Sequence, residues 1–155
     1  KSGFPVTKAQ IEIGLKNVAA PCRQEVISQN PLIIIDGAHN PQGISTLAKT
    51  LELNSMYGLT LIVGMLADKN AKKCMSLLLK YCRRIICCTP NNARALPAEK
   101  LADIISSYNP NICVETTKTP KKALELALTQ SNSPLLIAGS FYVASVLRPI
   151  ILDKI

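Results

Sequence analysis

The chain has 155 residues, enough for one domain with a sizeable hydrophobic core. Hydrophobic residues make up 48% of it and charged residues 18%, a composition that argues against a disordered protein. No apolar run reaches the roughly 18 residues of a membrane helix, and residues 1–10 lack the apolar stretch of a signal peptide. We therefore expect a soluble, cytoplasmic protein.

The net charge of +8 is an excess that proteins binding nucleic acids or membranes often carry. Here, however, the basic residues are scattered, in pairs such as Lys72-Lys73 and Arg83-Arg84. Aromatic residues make up only 4% and Trp is absent, so few side chains could stack on bases. These features argue against nucleic-acid and membrane partners and favour either an ordinary solvated surface or attraction for small anionic ligands.

The six cysteines form no recognisable metal motif, because no two are spaced as C-x-x-C and the chain has a single histidine. We therefore predict no metal-binding residues. Several cysteines lie in apolar runs such as R-R-I-I-C-C-T, where a free thiol packs as a small hydrophobic side chain. Reduced, unpaired thiols are expected.

The first 30 residues contain one extended run, Glu25–Ser28, and the short Gln29-Asn30-Pro31 turn connects it to the next run. This arrangement predicts an antiparallel strand added at the edge of a sheet. Because the chain begins without Met, we interpret residues 1–20 as the remnant of a linker or connection to a missing N-terminal ATPase domain. Residues 21–155 are then the domain itself.

From residue 31 onward, short β-branched runs alternate with helical stretches. The predicted strands are Leu32–Ile35, Leu59–Val63, Arg84–Cys88, Asn111–Glu115 and Leu135–Ala138. These runs are mostly apolar throughout, which indicates a sheet covered on both faces. The alternation is typical of an α/β domain with a largely parallel sheet.

Between the strands, apolar residues recur at helical spacing. They are Ile44, Leu47, Ala48 and Leu51, then Leu101, Ile104 and Ile105, then Ala123, Leu124, Ala127 and Leu128. Asn40-Pro41 and Thr119-Pro120 each place a capping residue before a proline, so helices are predicted to begin there.

Polar residues follow the carboxyl ends of the predicted strands, where ligands bind in parallel α/β sheets. They are Asp36, His39, Asn40, Asp68, Lys69, Arg94 and Ser140. Several of them can open helices, whose free N–H groups and dipole favour anions. This edge therefore suits a carboxylate or phosphate ligand.

The sequence lacks G-x-G-x-x-G, G-x-x-x-x-G-K-[ST] and G-x-S-x-G. This domain alone therefore has neither a phosphate-binding loop of the Walker type nor a hydrolase nucleophile. We predict no catalytic residues within it.

Four blocks occur in a specific order: D-G-A-H-N-P-Q-G, G-M-L-A-D-K-N, T-P-N-N-A-R-A-L-P and A-G-S-F-Y-V-A-S-V-L-R. Together they resemble the C-terminal domain of folylpolyglutamate synthase, in bacteria often a bifunctional dihydrofolate synthase, within the Mur ligase superfamily. The resemblance covers residues 18 to 150. It implies a Rossmann-like three-layer domain with a mostly parallel sheet of about six strands, in agreement with the strand pattern.

The resemblance also implies an activity for the full-length protein, that of an ATP-dependent acid–amino-acid ligase. Such an enzyme adds L-glutamate to dihydropteroate and/or reduced folates through an acyl phosphate. ATP and Mg²⁺ are expected to bind mainly to the N-terminal P-loop domain of the same parent chain. The C-terminal domain is expected to help bind glutamate and to close on ATP. We expect a monomer, and an inactive isolated fragment.

Individual residues inherit expected roles from the resemblance. Asp36 and Arg23 are expected at the nucleotide, where a carboxylate can accept hydrogen bonds from ribose hydroxyls. His39 and Ser140 are expected at glutamate. Each also has a plainer interpretation: Asp36 as a helix N-terminal acid, His39 as a packed or capping residue, Ser140 as an N-cap, and Arg23 as a surface residue.

Two further features of the resemblance bear on the site. Arg23 lies in P-C-R where the family usually has P-G-R, so Cys22 occupies a position that favours the backbone freedom of glycine. Lys69, with its neighbour Asp68, and Arg94 are interpreted as structural or interdomain residues.

Two alternatives stay open. One is the corresponding domain of a Mur-type peptidoglycan amino-acid ligase, although the D-G-A-H-N-P block favours the folate enzymes. The other is a non-enzymatic module that binds a small ligand or regulates a partner.

Overall fold

The computed structural model describes residues 5–17, 20–129 and 133–154. The helices are α1 (Lys8–Asn17), α2 (Pro41–Leu53), α3 (Ala71–Leu78), α4 (Ala98–Tyr108), α5 (Pro120–Leu128) and α6 (Phe141–Leu152). The strands are β1 (Glu25–Gln29), β2 (Leu32–Ile35), β3 (Leu59–Val63), β4 (Cys82–Cys88), β5 (Cys113–Thr117) and β6 (Leu135–Ala138). A 3₁₀ turn, Leu79–Tyr81, precedes β4.

The strands form one six-stranded sheet in the order β1-β2-β6-β3-β4-β5. Only β1 and β2 pair antiparallel, and the other neighbours are parallel. Helices α2, α3 and α4 contribute to the core on one face, and α5 and α6 to the core on the other. The predicted α/β class, the three layers and the antiparallel edge strand are confirmed.

Three strands, β2, β3 and β6, have the predicted bounds. Their residues are almost entirely buried, so continuous apolar runs mark them clearly in the sequence. The prediction for β5 was wrong by two residues at each end. This strand lies at the edge and pairs only with β4, in a register that sets Arg84 opposite Cys113 and Cys88 opposite Thr117. The preceding turn, in which Asn111 N–H donates to the Asn109 side chain, occupies the predicted start.

The helix predictions are mostly confirmed. Asn40 and Thr119 cap α2 and α5 by accepting hydrogen bonds from Gly43 N–H and Lys122 N–H, and all four apolar positions predicted for α2 are buried. Leu128 is an exception, because it ends α5 and is 43% exposed.

Helix α1 lies inside the segment that was interpreted as a linker remnant, and residues 5–14 are all exposed. The division of the chain at residue 20 stays a prediction. All six thiols are free, as predicted, although Cys113 is exposed. Among the described residues, no helix combines the length and apolar character needed to cross a bilayer.

A polar cluster at the amino end of the parallel strands connects α2 to the 3₁₀ turn before β4. The Glu52 carboxylate lies 2.6 Å from Lys80 Nζ and accepts hydrogen bonds from the hydroxyls of Tyr81 and Tyr57. The Lys80 hydrogen bond, followed by those of the two tyrosines, lowers the pKa of the Glu52 carboxyl from its ordinary value of 4.5 to about 2. The folded state therefore favours the ionised form.

We predict that Glu52→Gln lowers the melting temperature at pH 7 and that this difference shrinks in acid. The depressed pKa contributes stability above the ordinary pKa of 4.5, and that contribution is lost as the pH falls through about 2. Thermal melts of both proteins between pH 2 and pH 7 measure the effect, with Glu125→Gln on the exposed surface of α5 as the control. A difference of the same size throughout that range would contradict the prediction.

Candidate functional site

Three loops meet at the carboxyl edge of the sheet and are joined by main-chain hydrogen bonds. Gly37 N–H donates to Cys22 C=O over 2.7 Å, and Gly139 N–H donates to Ala38 C=O over 2.9 Å. Asp36 N–H extends the pairing of β2 with β6 by donating to Ile137 C=O over 2.9 Å. The loop of residues 36–40 is therefore fixed between residues 21–24 and the start of α6.

Two glycines make this close approach possible. Gly139 has a φ of +98°, a backbone conformation that residues with a Cβ atom rarely adopt. At Gly37, a Cβ atom would lie 2.4 Å from Cε1 of Phe141, so the aromatic ring packs directly on the bare main chain. The two glycines bring β6 and the 36–40 loop close enough to share side-chain contacts.

An open cleft of about 180 Å³ lies on one side of this junction. We call it the histidine cleft, and it is lined chiefly by His39, Lys69, Arg94, Ser140, Phe141 and Tyr142. Strands β2 and β6 are parallel neighbours, and His39 and Ser140 follow their carboxyl ends. The two residues therefore line one cleft, which is the geometry that a shared ligand requires.

His39 and Ser140 each make a local contact. The Nδ1 atom of His39 lies 3.1 Å from Gly37 C=O. Since a carbonyl can only accept, Nδ1 carries the proton, and Nε2 is the acceptor in the neutral ring. Ser140 as a whole is 2% exposed, and its hydroxyl caps α6 by accepting a hydrogen bond from Tyr142 N–H over 3.0 Å. The plainer role of Ser140 as an N-cap is thus real, and its hydroxyl proton is still a potential donor to a ligand.

Lys69 and Arg94 add positive charge to the histidine cleft. Asp68 lies between them, with its carboxylate 3.0 Å from Lys69 Nζ and 3.7 Å from Arg94 Nη1. Its hydrogen bond with Lys69 lowers the pKa of the Asp68 carboxyl. Two cations thus share one carboxylate, and the group keeps a net positive charge.

Main-chain hydrogen bonds join the loop after β3, which carries Lys69, to the loop after β4, which carries Arg94. Ala67 N–H donates to Arg94 C=O over 2.8 Å, and Leu96 N–H donates to Met65 C=O over 2.9 Å. The sequence pattern placed Lys69 and Arg94 at this edge of the sheet, and the structure brings both into the histidine cleft. Each lies six residues after the last residue of its strand, β3 or β4, and these strands are neighbours. The interpretation of both as structural or interdomain residues stays a prediction.

A second cleft, of about 370 Å³, lies on the other side of the 36–40 loop. We call it the aspartate cleft, and it is lined chiefly by Arg23, Gln24, Asp36, Asn40, Gln42 and Thr46. The structure thus brings Asp36 and Arg23 into one cleft and places His39 and Ser140 in the other. The role of Asp36 and Arg23 at a nucleotide stays a prediction.

Asp36 is more buried than a strand-end acid usually is, with 4% of its surface exposed. Its Oδ1 accepts from Ala38 N–H over 2.6 Å and its Oδ2 accepts from Gln24 N–H over 3.1 Å. Burial raises the pKa of the carboxyl, against the lowering effect of these two hydrogen bonds. The carboxylate therefore braces two loops and still lines the aspartate cleft.

Residues 22 and 24 adopt strained backbone conformations. Cys22 has a φ of +59° and Gln24 a φ of +47°, in the left-handed region that disfavours residues with a Cβ atom. An ion pair between Glu25 and Arg148 supports this loop, with Nη2 2.7 Å from Oε1 and Nε 2.8 Å from Oε2. Glu25 Oε2 also accepts from Cys22 N–H. Cys22 thus occupies a conformation that glycine would adopt freely.

No group of three or more His, Cys, Asp or Glu side chains capable of holding a metal ion occurs among the described residues. The positive and polar groups of the two clefts suit anionic ligands instead.

Residues 22–141 match the family model of the Mur ligase, glutamate ligase domain. Because this match spans most of the sequence, the chain belongs to that family. It is 34% identical over 151 residues to the folylpolyglutamate synthase of Lacticaseibacillus casei, covering 96% of this chain and 34% of that protein.

Solved structures agree with the fold. The structure of Mycobacterium tuberculosis folylpolyglutamate synthase complexed with ADP aligns with a TM-score of 0.85 at 24% identity, covering 94% of this chain and 35% of that one. A bifunctional folylpolyglutamate synthase/dihydrofolate synthase with Mn, AMPPNP and L-glutamate bound aligns with a TM-score of 0.83 at 25% identity, covering 97% and 36%. The chain thus spans about a third of the length of these relatives.

The strained loop gives a testable prediction about Cys22. Both Cys22→Gly and Cys22→Ala remove the thiol, but only glycine relieves the left-handed conformation. We expect the glycine variant to have a free energy of unfolding about 1 kcal/mol higher than that of the alanine variant.

The matched control is Cys74, a buried thiol inside α3, where the order should reverse because glycine destabilises a helix interior. Urea denaturation of the four variants measures both differences. An alanine variant at least as stable as the glycine variant at position 22 would show that the left-handed conformation costs little there.

Proposed function

We propose that this chain is the C-terminal domain of an ATP-dependent ligase that adds L-glutamate to dihydropteroate and/or folates through an acyl-phosphate intermediate. The observation that carries the proposal is the histidine cleft, in which two cations, an imidazole and a capping serine surround one small space. The bound L-glutamate named for one of the structural relatives supports this choice of ligand.

Glutamate has two carboxylates and one amine, and the cleft offers complementary groups. Lys69 and Arg94 can bind carboxylates, and the planar guanidinium of Arg94 can do so through two parallel hydrogen bonds. The Ser140 hydroxyl can donate to a carboxylate while it caps α6. In the tautomer fixed by Gly37 C=O, His39 Nε2 accepts a hydrogen bond from the amine and so helps to orient the nucleophile.

The aspartate cleft is proposed to face ATP when the domain closes. Arg23 supplies positive charge for an anionic nucleotide, and Asp36 accepts hydrogen bonds from ribose hydroxyls. The phosphate-binding loop and the groups that hold Mg²⁺ would belong to the N-terminal domain of the same parent chain. This domain then contributes by positioning the amine beside the acyl phosphate and by favourable charge.

The assay that tests the proposal is glutamate-dependent ATP hydrolysis by the full-length parent enzyme, comparing dihydropteroate with tetrahydrofolate. Hydrolysis that requires glutamate and either pterin substrate supports the proposal. Activity only with a peptidoglycan precursor would favour the Mur-type alternative, and no ligase activity would favour the non-enzymatic one. The 155-residue chain alone is expected to be inactive.

We predict that His39→Ala or Ser140→Ala in the full-length enzyme raises the Michaelis constant for glutamate more than that for ATP. A lost hydrogen bond to a charged group costs about 1.5–3 kcal/mol, which is about a 10- to 100-fold change. Steady-state kinetics with each substrate varied in turn measure the difference.

Ser140→Ala also removes a helix cap, which alone costs about 0.5–2 kcal/mol of stability. Thr119→Ala is the matched control, because Thr119 caps α5 at the same edge of the sheet but lies outside both clefts. It should lower the melting temperature to a similar extent and leave glutamate kinetics unchanged. Normal glutamate kinetics in both the His39 and the Ser140 variants would count against the proposed ligand.

Asp36→Asn is predicted to weaken ATP use and to lower stability, because the carboxylate serves both the cleft and the loops. An amide oxygen can still accept one of the two backbone hydrogen bonds, so the fold should survive. We expect a 10- to 100-fold higher Michaelis constant for ATP, about the value of a charge-assisted hydrogen bond. A lower melting temperature with unchanged ATP kinetics would assign Asp36 a structural role only.

A further inference from the structure

The side chain of Phe141 contacts residues from both clefts. It lines the histidine cleft, where the centre of its ring lies 6.1 Å from that of His39, with the ring planes tilted by 58°. The guanidinium carbon of Arg23, a residue of the aspartate cleft, lies 4.5 Å from the centre of the same ring. A single aromatic side chain thus connects the two clefts.

The Phe141 ring is held firmly. Phe141 is the first residue of α6, directly after the Ser140 cap, and its ring packs on the main chain of Gly37. Arg23, by contrast, is exposed and lies between the two strained residues Cys22 and Gln24. Within the described part of the chain, its guanidinium makes no hydrogen bond or ion pair. The charge of the nearby Asp36 carboxylate attracts it, and the Phe141 ring is the group that it contacts.

We propose that Phe141 is a positioning residue that holds the Arg23 guanidinium toward the nucleotide. This inference rests on the proposed function. A guanidinium over an aromatic face is attracted by the ring quadrupole, and the attraction strengthens when water is excluded, as it would be on domain closure. An aliphatic side chain of similar size would fill the space beside Gly37 but would leave Arg23 free to rotate into solvent.

A double-mutant cycle in the full-length enzyme tests this role, using Arg23→Ala, Phe141→Leu and the double variant. Phe141→Leu should raise the Michaelis constant for ATP about two- to fivefold, the value of an exposed cation–π contact. In the Arg23→Ala background, the same substitution should have no further effect on that constant. Val146→Ala, on the exposed surface of α6, is the control and should leave ATP kinetics unchanged.

A purely structural role for Phe141 would give the same effect in both backgrounds, and that result would overturn the inference. An unchanged Michaelis constant for ATP in Phe141→Leu would also overturn it. If the leucine variant folds poorly, Phe141→Met replaces it, since methionine fills a similar volume without an aromatic face. A wild-type enzyme without glutamate-dependent ATP hydrolysis would overturn the proposed function and this inference together. If the wild type is active but Phe141→Leu and Arg23→Ala change the Michaelis constant for ATP independently of each other, the inference alone is overturned.

Discussion

Main-chain hydrogen bonds between three loops are the constraint on which both clefts depend. Gly37 N–H to Cys22 C=O and Gly139 N–H to Ala38 C=O place segments that are distant in sequence side by side. These bonds do not depend on side-chain identity, so cleft residues other than Asp36, whose carboxylate braces two of the loops, can be substituted with an effect on binding while the loops keep their positions. His39 and Ser140 lie on the loops that follow β2 and β6, so the positions of these neighbouring strands and the hydrogen bonds between the loops place the two residues beside one cleft.

The carboxyl edge of the sheet, where both clefts lie, also contains locally unfavourable features. Cys22 and Gln24 adopt left-handed conformations, and burial raises the pKa of Asp36, which means that its ionised form is disfavoured there. Such features persist only when interactions in the surrounding structure are strong enough to hold the residues in place. Here the surroundings are the fully buried strand β3 and the two cores on either face of the sheet. Stability comes from the centre of the domain. Two of the three described non-glycine residues with positive φ lie beside the proposed ligand sites, and the third, Ser55, follows α2.

Much of the fold could be predicted because β2, β3 and β6 are continuous apolar runs bounded by polar or turn residues. The prediction for β5 was wrong because this edge strand is only partly buried: each of its residues is exposed or half-buried, so no apolar run marks its bounds. Residues of the site within two positions of a strand end, such as Asp36 after β2 and Ser140 after β6, could be located from the sequence pattern. The sequence also placed Lys69 and Arg94 at this edge, but it could not show that they share one cleft with His39, because that depends on the pairing of the loops after β3 and β4.

The division into two clefts explains why one short loop carries both an acid and the single histidine. Asp36 and His39 are three residues apart, so their main chains can be separated by at most about 11 Å. The proposed reaction requires the amine of glutamate to meet an acyl phosphate formed at the nucleotide, and effective attack depends on small, fixed separations. The 36–40 loop is hydrogen-bonded to residue 22 on one side and to residue 139 on the other. Because it contributes one residue to each cleft, it meets that requirement without a flexible element. Covalent geometry thereby limits the distance between the two proposed ligands.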